Sequence, residues 1–240
     1  MIIAEQKDLE TIASMLEGHS DILVAGCRSC VAICLAGGER EVATLSEALR
    51  LRSALRGSGW NISETTLERA CEKEWAGDIA PLAEGKDAIL CLACGVGAQV
   101  LQEMYPQVRV VPGLDTSNMG APEEQGIYLE KCGGCGDCVL HLTGGVCPVA
   151  RCSKSLMNGP CGGSQDGRCE VDKDIPCGWD QIYQSLKRLG RLDLMEVNIP
   201  PKNWLPSRSG GPRKIVRKAA VLSDDEKAIK GGGHEGGQQS

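Results

Sequence analysis

Cysteine is the residue type in this chain with the most chemistry to offer, and its spacing predicts metal binding. The 240 residues contain 14 cysteines, and eight of them fall between Cys132 and Cys177. That segment begins with the spacing C-x2-C-x2-C and later contains a Cys-Pro pair, with glycine-rich stretches between them. Closely spaced thiolates can converge on one inorganic centre, and glycine permits the tight turns around it. The eight cysteines are Cys132, Cys135, Cys138, Cys147, Cys152, Cys161, Cys169 and Cys177.

A disulfide framework is the ordinary alternative for so many cysteines, and it requires an oxidising compartment. The first twenty residues, MIIAEQKDLETIASMLEGHS, contain no basic start followed by an apolar run, which is the pattern of a secretory signal. We therefore expect a cytoplasmic protein whose thiols stay reduced. In such a protein, metal binding is the better interpretation of the cysteine pattern.

A first set of candidate ligands lies in the N-terminal part of the chain. Cys27, Cys30 and Cys34 form the spacing C-x2-C-x3-C directly after a predicted strand, and Cys94 directly follows another one. Loops that follow parallel strands meet at the carboxyl edge of a sheet, where such folds place their ligands. Three local thiolates and one distant thiolate suit a [4Fe–4S] centre.

Two further cysteines qualify this assignment. Cys71 lies in TLERACEKEW, on a predicted helix, and is the rival of Cys94 for the fourth ligand position. Cys91 occupies a position within a predicted strand, where a free cysteine behaves as a small buried hydrophobe. We therefore expect Cys94 to be the ligand and Cys91 to serve packing.

The eight cysteines of the second set suit two four-thiolate centres, or one centre with four cysteines left for packing or zinc. The Cys-Pro of a bacterial ferredoxin follows the third cysteine by four positions, whereas Cys147 follows Cys138 by nine. Ferredoxin geometry is therefore not implied. Tetrahedral zinc remains open, but a run of three cysteines without a second C-x2-C favours iron–sulfur. His141 in this segment is expected to form an ordinary hydrogen bond.

The elements that would position these residues indicate an α/β fold. Aliphatic runs predict strands at 21–25, 60–63, 86–91 and 108–111, and helical spacing predicts helices at 41–56, 65–76, 97–105 and 179–189. Strands that alternate with helices suggest a small parallel sheet. We expect an α/β domain over 1–125, an irregular, metal-stabilised cysteine-rich domain over 126–206, and a flexible tail over 207–240.

Composition excludes two classes of partner. The net charge is −6, and the chain has three tyrosines and no phenylalanine, so it offers neither the basic stripe nor the stacking surface of a nucleic-acid binder. No apolar run approaches the roughly 18 residues that span a bilayer, so we expect a soluble protein without membrane insertion.

Long stretches of the sequence resemble a known family. The run LTGGVCPVARCSKSLMNGPCGGSQDGRCEVDKDIPCGWDQIYQSLKRLGRLD is similar to the small, cysteine-rich iron–sulfur subunit of bacterial methylenetetrahydrofolate reductase of the acetogen type. It also resembles the C-terminal region appended to some methylenetetrahydrofolate reductases. GCRSCVAICLAGGEREVATLSEALR, LERACEKEW, LACGVGAQV and IPPKNW extend the resemblance over about residues 20–206. All cysteines except Cys91 match the family pattern.

The resemblance implies a partner and a role. The family's subunit pairs with a flavin-bearing catalytic subunit, a TIM barrel that reduces methylenetetrahydrofolate in the Wood–Ljungdahl pathway. We therefore expect an electron-transfer subunit with two or three [4Fe–4S] clusters, which receives electrons from an upstream redox protein and passes them to the partner's flavin. The alternative is a zinc-stabilised subunit that only scaffolds the reductase. A free-standing metal sensor is a weaker third interpretation.

Overall fold

The computed structural model describes residues 1–223 and 225–226. Its strands are β1 Ile2–Gln6, β2 Asp21–Cys27, β3 Asn61–Leu67, β4 Ala88–Leu92, β5 Arg109–Pro112, β6 Leu114–Glu124 and β7 Ile127–Cys132. Its α-helices are α1 Leu9–Met15, α2 Cys30–Ile33, α3 Glu39–Arg56, α4 Lys73–Ala76, α5 Ala80–Ala83, α6 Gly95–Met104, α7 Pro148–Arg151 and α8 Gly178–Arg188. The fold is α/β, as the alternation of strands and helices predicts.

A parallel four-stranded sheet forms the centre of the N-terminal part, with the order β3-β2-β4-β5. The middle strands β2 and β4 are aliphatic and almost completely buried. Parallel strands with both faces covered need such continuous apolar runs, because neither face meets water. Their residues are the centre of the main hydrophobic core, which also takes in Val42, Leu45 and Leu49 of α3.

A separate antiparallel sheet has the order β1-β6-β7. The sequence analysis does not predict it. β1 pairs with β6 across more than a hundred residues, with Ile2 opposite Met119. β7 ends at Cys132, so the first cysteine of the second set lies at the end of a strand of this sheet.

Most of the predicted elements are confirmed, with shifts of a few residues at their ends. The helix predicted over 65–76 is wrong for its first part, because Thr65 and Thr66 belong to β3 and pair with Ala25 and Gly26 of β2. Only Lys73–Ala76 forms the short helix α4. Threonine is β-branched and favours a strand where a neighbouring strand is available for pairing. Cys71 therefore lies in the turn after β3 and not on a helix.

A small second core lies in the cysteine-rich part of the chain. It consists of the buried residues Cys177, Trp179, Ile182 and Leu186, with Cys152 and Leu156 packed against them. Three of the buried residues come from α8, whose apolar side they form. The Trp179 indole donates a hydrogen bond to the carbonyl oxygen of Leu156 (2.9 Å) and so fixes the preceding loop on this helix.

The chain divides into two compact units. The larger unit contains Met1–Gly134 and Cys138–Pro200, and the smaller contains Cys135–Asp137 and the described residues from Pro201 onward. In the smaller unit Lys202 pairs with Asp137 (3.3 Å), and Ser207 is buried. The domain boundaries expected near 125 and 206 remain predictions, and so does the expected tail over 207–240, of which 207–223 and 225–226 are described.

No helix in the described part of the chain is both long and apolar enough to cross a membrane.

Candidate metal centres

The carboxyl edge of the parallel sheet gathers cysteines from three neighbouring strands. Cys27 is the last residue of β2, Cys71 follows β3, and Cys94 follows β4. Two hydrogen bonds join the loop after β2 to the loop after β3. The amide of Arg28 donates to the carbonyl of Leu67 (2.8 Å), and the Ser29 hydroxyl donates to the carbonyl of Glu68 (3.0 Å). The loops that carry these cysteines are therefore held side by side.

The Cys71 thiol lies close enough to Cys94 and Cys27 for their charge to influence its pKa. Partial burial raises the pKa of the Cys71 thiol, and negative charge on Cys94 and Cys27 raises it further. Cys94 is the N-cap of α6. The edge of the sheet thus brings together Cys94, the expected fourth ligand, and its rival Cys71.

The three cysteines of the C-x2-C-x3-C motif lie in different surroundings. The amide of Cys27 donates to the carbonyl of Gly37 (2.9 Å), which closes the loop that contains α2. Cys30 begins α2 and is partly exposed. Cys34 is buried, and its thiol donates to the carbonyl of Ala4 in β1 (3.5 Å). Burial is the main cause that raises the pKa of Cys34.

Cys91 lies inside β4 and is completely buried. Burial raises the pKa of its thiol to about 12, because the apolar core does not solvate a thiolate. Such a thiol behaves as a small hydrophobic side chain. Its position agrees with the packing role expected from the sequence.

One cavity joins the two cysteine sets. Cys30 from the first set and Cys132 from the second line the same cavity of about 380 Å³, together with Met1, Ile2 and Met119. Its walls are mostly apolar side chains, and Lys131 contributes a cation. The amide of Gly134 donates to the sulfur of Cys132 (3.4 Å), the kind of bond that stabilises a ligating thiolate.

The short helix α7 and the start of α8 position three cysteines of the second set. Cys147 precedes α7, Cys152 follows it, and Cys177 precedes α8. A Cβ on Gly178 would lie 2.5 Å from the carbonyl oxygen of Arg151, so only glycine permits this approach of the two helix ends. Cys152 and Cys177 consequently pack into the same small core.

Cys169 lies beside Ser153, the residue that follows Cys152. Its thiol is within hydrogen-bonding distance of the Ser153 hydroxyl (3.5 Å). This hydrogen bond is the main cause that lowers the pKa of Cys169. The structure therefore groups Cys152, Cys169 and Cys177 in one neighbourhood.

The remaining residues of the second set are less constrained. The Cys135 thiol donates to the carbonyl of Asp137 (3.6 Å), while Cys138 and Cys161 are exposed. His141 is also exposed.

All fourteen cysteines are free thiols. Among the residues described, no three His, Cys, Asp or Glu side chains are already close enough to hold a metal ion. The ligand sets predicted from the spacing therefore stay predictions. The sequence analysis ranked Cys71 behind Cys94 because it predicted a helix around Cys71. A strand prediction for 61–67 would have placed it after β3, beside the other strand-end cysteines.

One comparison with known proteins concerns the second set. Residues 111–205 match a family model described as methylene-tetrahydrofolate reductase C terminal, and this segment contains all eight cysteines from Cys132 to Cys177. The match confirms the resemblance over this segment. No curated protein and no solved structure matches the chain.

Proposed function

We propose that the chain is the iron–sulfur electron-transfer subunit of a methylenetetrahydrofolate reductase complex, because residues 111–205 match the family model described as methylene-tetrahydrofolate reductase C terminal. In this proposal it receives electrons from an upstream redox protein and delivers them to the flavin of the catalytic subunit. Folate binds to that catalytic subunit and not to this chain. A cytoplasmic location belongs to the same proposal, because the ligands must stay reduced.

The observation that carries the proposal is the cavity shared by Cys30 and Cys132. It places one candidate ligand of each cysteine set on a common wall, so that centres held by the two sets would be close neighbours. Electron transfer requires such neighbouring centres, whereas a scaffold does not need its metal sites to adjoin. Cys132 is exposed and Cys30 is partly exposed, so this pair of sites lies near the surface that a partner can reach.

The donor chemistry of the chain fits iron–sulfur clusters. Free thiols are the ligands that such clusters require, and Cys27, Cys71 and Cys94 follow three neighbouring strands at one edge of the sheet. We propose two [4Fe–4S] clusters, or three if the second set holds two. When bound, such clusters supply one-electron transfer, and the protein contributes their position and surroundings.

The chain offers little for acid–base catalysis of its own. It contains only three histidines, and one of them, His19, faces Asp87 (3.8 Å) at the edge of the structure away from the cysteines. Catalytic chemistry therefore falls to the partner, and this chain acts as the redox subunit.

A second candidate is a zinc-stabilised scaffold, and the small second core favours it. Four buried residues are few for a segment of this length, and a structural metal commonly supplements such a core. Metal analysis separates the two candidates. Iron and sulfide in the anaerobically purified chain support the relay, whereas zinc alone in a colourless protein supports the scaffold.

The function is tested by measuring methylenetetrahydrofolate reduction by the catalytic subunit with and without this chain. With an artificial dye that reaches the flavin directly, we expect activity without the chain. With the physiological donor we expect activity only in its presence. A Cys91→Ala variant is the control that should behave as wild type, because Cys91 is buried in β4. Full activity with the natural donor in a cluster-free variant would overturn the relay and favour the scaffold.

A further inference from the structure

We propose that the N-terminal metal centre is a [4Fe–4S] cluster held by Cys27, Cys30, Cys71 and Cys94, and that Cys34 lies outside it. This differs from the ligand set predicted by spacing, which contains Cys34 and omits Cys71. The assignment deepens the proposed function, since it names the ligands of one centre in the relay.

The topology of the parallel sheet supports Cys27, Cys71 and Cys94 as ligands of one cluster. β3, β2 and β4 are adjacent parallel strands, so the loops that follow them emerge side by side at one edge. Each of the three loops contributes one cysteine: Cys71 after β3, Cys27 at the end of β2, and Cys94 after β4. The sheet therefore brings together three thiols from distant parts of the sequence, although their spacing along the chain does not indicate this.

The packing around Gly97 supports Cys71 and Cys94 as neighbouring ligands. A Cβ placed on Gly97 would lie 2.8 Å from the Cβ of Ala93 and 3.0 Å from the Cβ of Ala70. These alanines immediately precede Cys94 and Cys71, so the first turn of α6 holds both cysteine-bearing loops against itself.

The surroundings of Cys34 argue against it as a ligand of this cluster. Its side chain is only 7% exposed, and its thiol bonds to the carbonyl of Ala4 in the antiparallel sheet (3.5 Å). It lines a different cavity, of about 580 Å³, with Ile3, Asn118 and Tyr128. To ligate a metal at the edge of the parallel sheet, Cys34 would have to leave its place beneath β1.

Cys30 supplies the fourth thiolate. It begins α2, three residues after Cys27 in the spacing C-x2-C, and it is partly exposed. The same residue lines the cavity that also reaches Cys132. Four thiolates form the ligand set of a [4Fe–4S] cluster.

The test measures iron, sulfide and zinc in full-length chain purified without oxygen, with electron paramagnetic resonance of each sample. We expect Cys71→Ser and Cys94→Ser to lose about four irons per chain, or to convert the centre to a three-iron form with its own resonance signal. The matched controls Cys34→Ser and Cys34→Ala should keep the full iron content. Iron loss on changing Cys34, with retention on changing Cys71, would overturn the assignment. So would a wild-type chain that binds no metal at this edge.

A second measurement does not depend on metal loading or on the folding of a variant. Mild oxidation of the metal-free wild-type chain should form disulfides among Cys27, Cys71 and Cys94, identified by peptide mapping. Disulfides of Cys34 with these residues, in place of those of Cys71, would contradict the proposal. A cluster that needs Cys71 but cannot reduce the partner would support this ligand set and contradict the electron-relay function, so the two proposals fail separately.

Discussion

At the scale of single residues, the surroundings of each cysteine decide what its thiol can do. Cys91 and Cys34 are both buried, and burial raises the pKa of each. Cys169 is the opposite case, because its hydrogen bond with Ser153 lowers its pKa. A thiolate is both the metal ligand and the reactive nucleophile, so the cysteines differ in how readily they bind and react.

These differences predict an order of alkylation in the metal-free protein. As the pH rises, iodoacetamide should modify Cys169 before Cys34, and Cys91 should stay unmodified until the chain unfolds. Mass spectrometry of peptides after short labelling times at several pH values measures this order.

Ser153→Ala is the control, because it removes the hydrogen bond that lowers the pKa of Cys169. The labelling of Cys169 should then shift to higher pH while that of the other thiols is unchanged. Labelling of Cys169 that is identical in both proteins would show that its surroundings have no such effect.

At the scale of elements, the sequence predicts those strands and helices whose signal is local. β2 and β4 are continuous aliphatic runs, and α3 and α8 have helical apolar spacing, so each can be recognised by itself. β1 and β6 cannot, because they depend on each other across more than a hundred residues. β6 is also mainly polar and exposed, so its sequence lacks a buried face that would reveal it.

The candidate ligands differ in the same way, because some can be recognised from the local sequence and others only from long-range contacts. Cys27, Cys30 and Cys94 are recognisable from short spacings and from their places after predicted strands. The proximity of Cys71 depends on β3, whose threonines join the sheet only through pairing with β2. Spacing likewise cannot separate Cys34 from Cys30, since the difference between them comes from the contact of Cys34 with β1.

In the first turn of α6, we expect replacement of Gly97 to lower the stability of the protein and replacement of Gly95 to be tolerated. Gly97→Ala places a methyl group against Ala93 and Ala70, and such overpacking costs about 1–3 kcal/mol in the free energy of unfolding. Gly95→Ala should be tolerated, because its Cβ would meet only the Thr116 hydroxyl at 3.6 Å. Chemical unfolding followed by circular dichroism compares the two variants. Equal stability of both would contradict the packing described for this turn.

At the scale of the whole molecule, the two cores differ in how much apolar surface they bury. The core around the parallel sheet includes β2, β4 and the buried side of α3. The core under α8 has four buried residues, one of which is Cys177, and Cys152 packs against them. We expect apolar burial alone to stabilise the core around the parallel sheet. The core under α8 is expected to depend on bound metal, because metal binding contributes to folding where a core is small.

Metal removal should therefore affect the two cores unequally. After chelation under reducing conditions, amide hydrogen exchange should accelerate in α8 and around Cys152, while β2 and β4 remain protected. Mass spectrometry of the exchanged peptides gives both values from one sample, with β4 as the internal reference. Unchanged protection of α8 in the metal-free chain would show that this core is stable without metal.

The central claim is that this chain passes electrons to the flavin of a methylenetetrahydrofolate reductase catalytic subunit. The most direct measurement mixes the chain, reduced beforehand and freed of excess reductant, with the oxidised catalytic subunit in a stopped-flow instrument without oxygen. We expect the flavin absorbance to bleach while the iron–sulfur absorbance recovers in proportion, and a cluster-free variant to leave the flavin oxidised. A flavin that stays oxidised beside the reduced wild-type chain would contradict the claim, as would equal bleaching by the cluster-free variant.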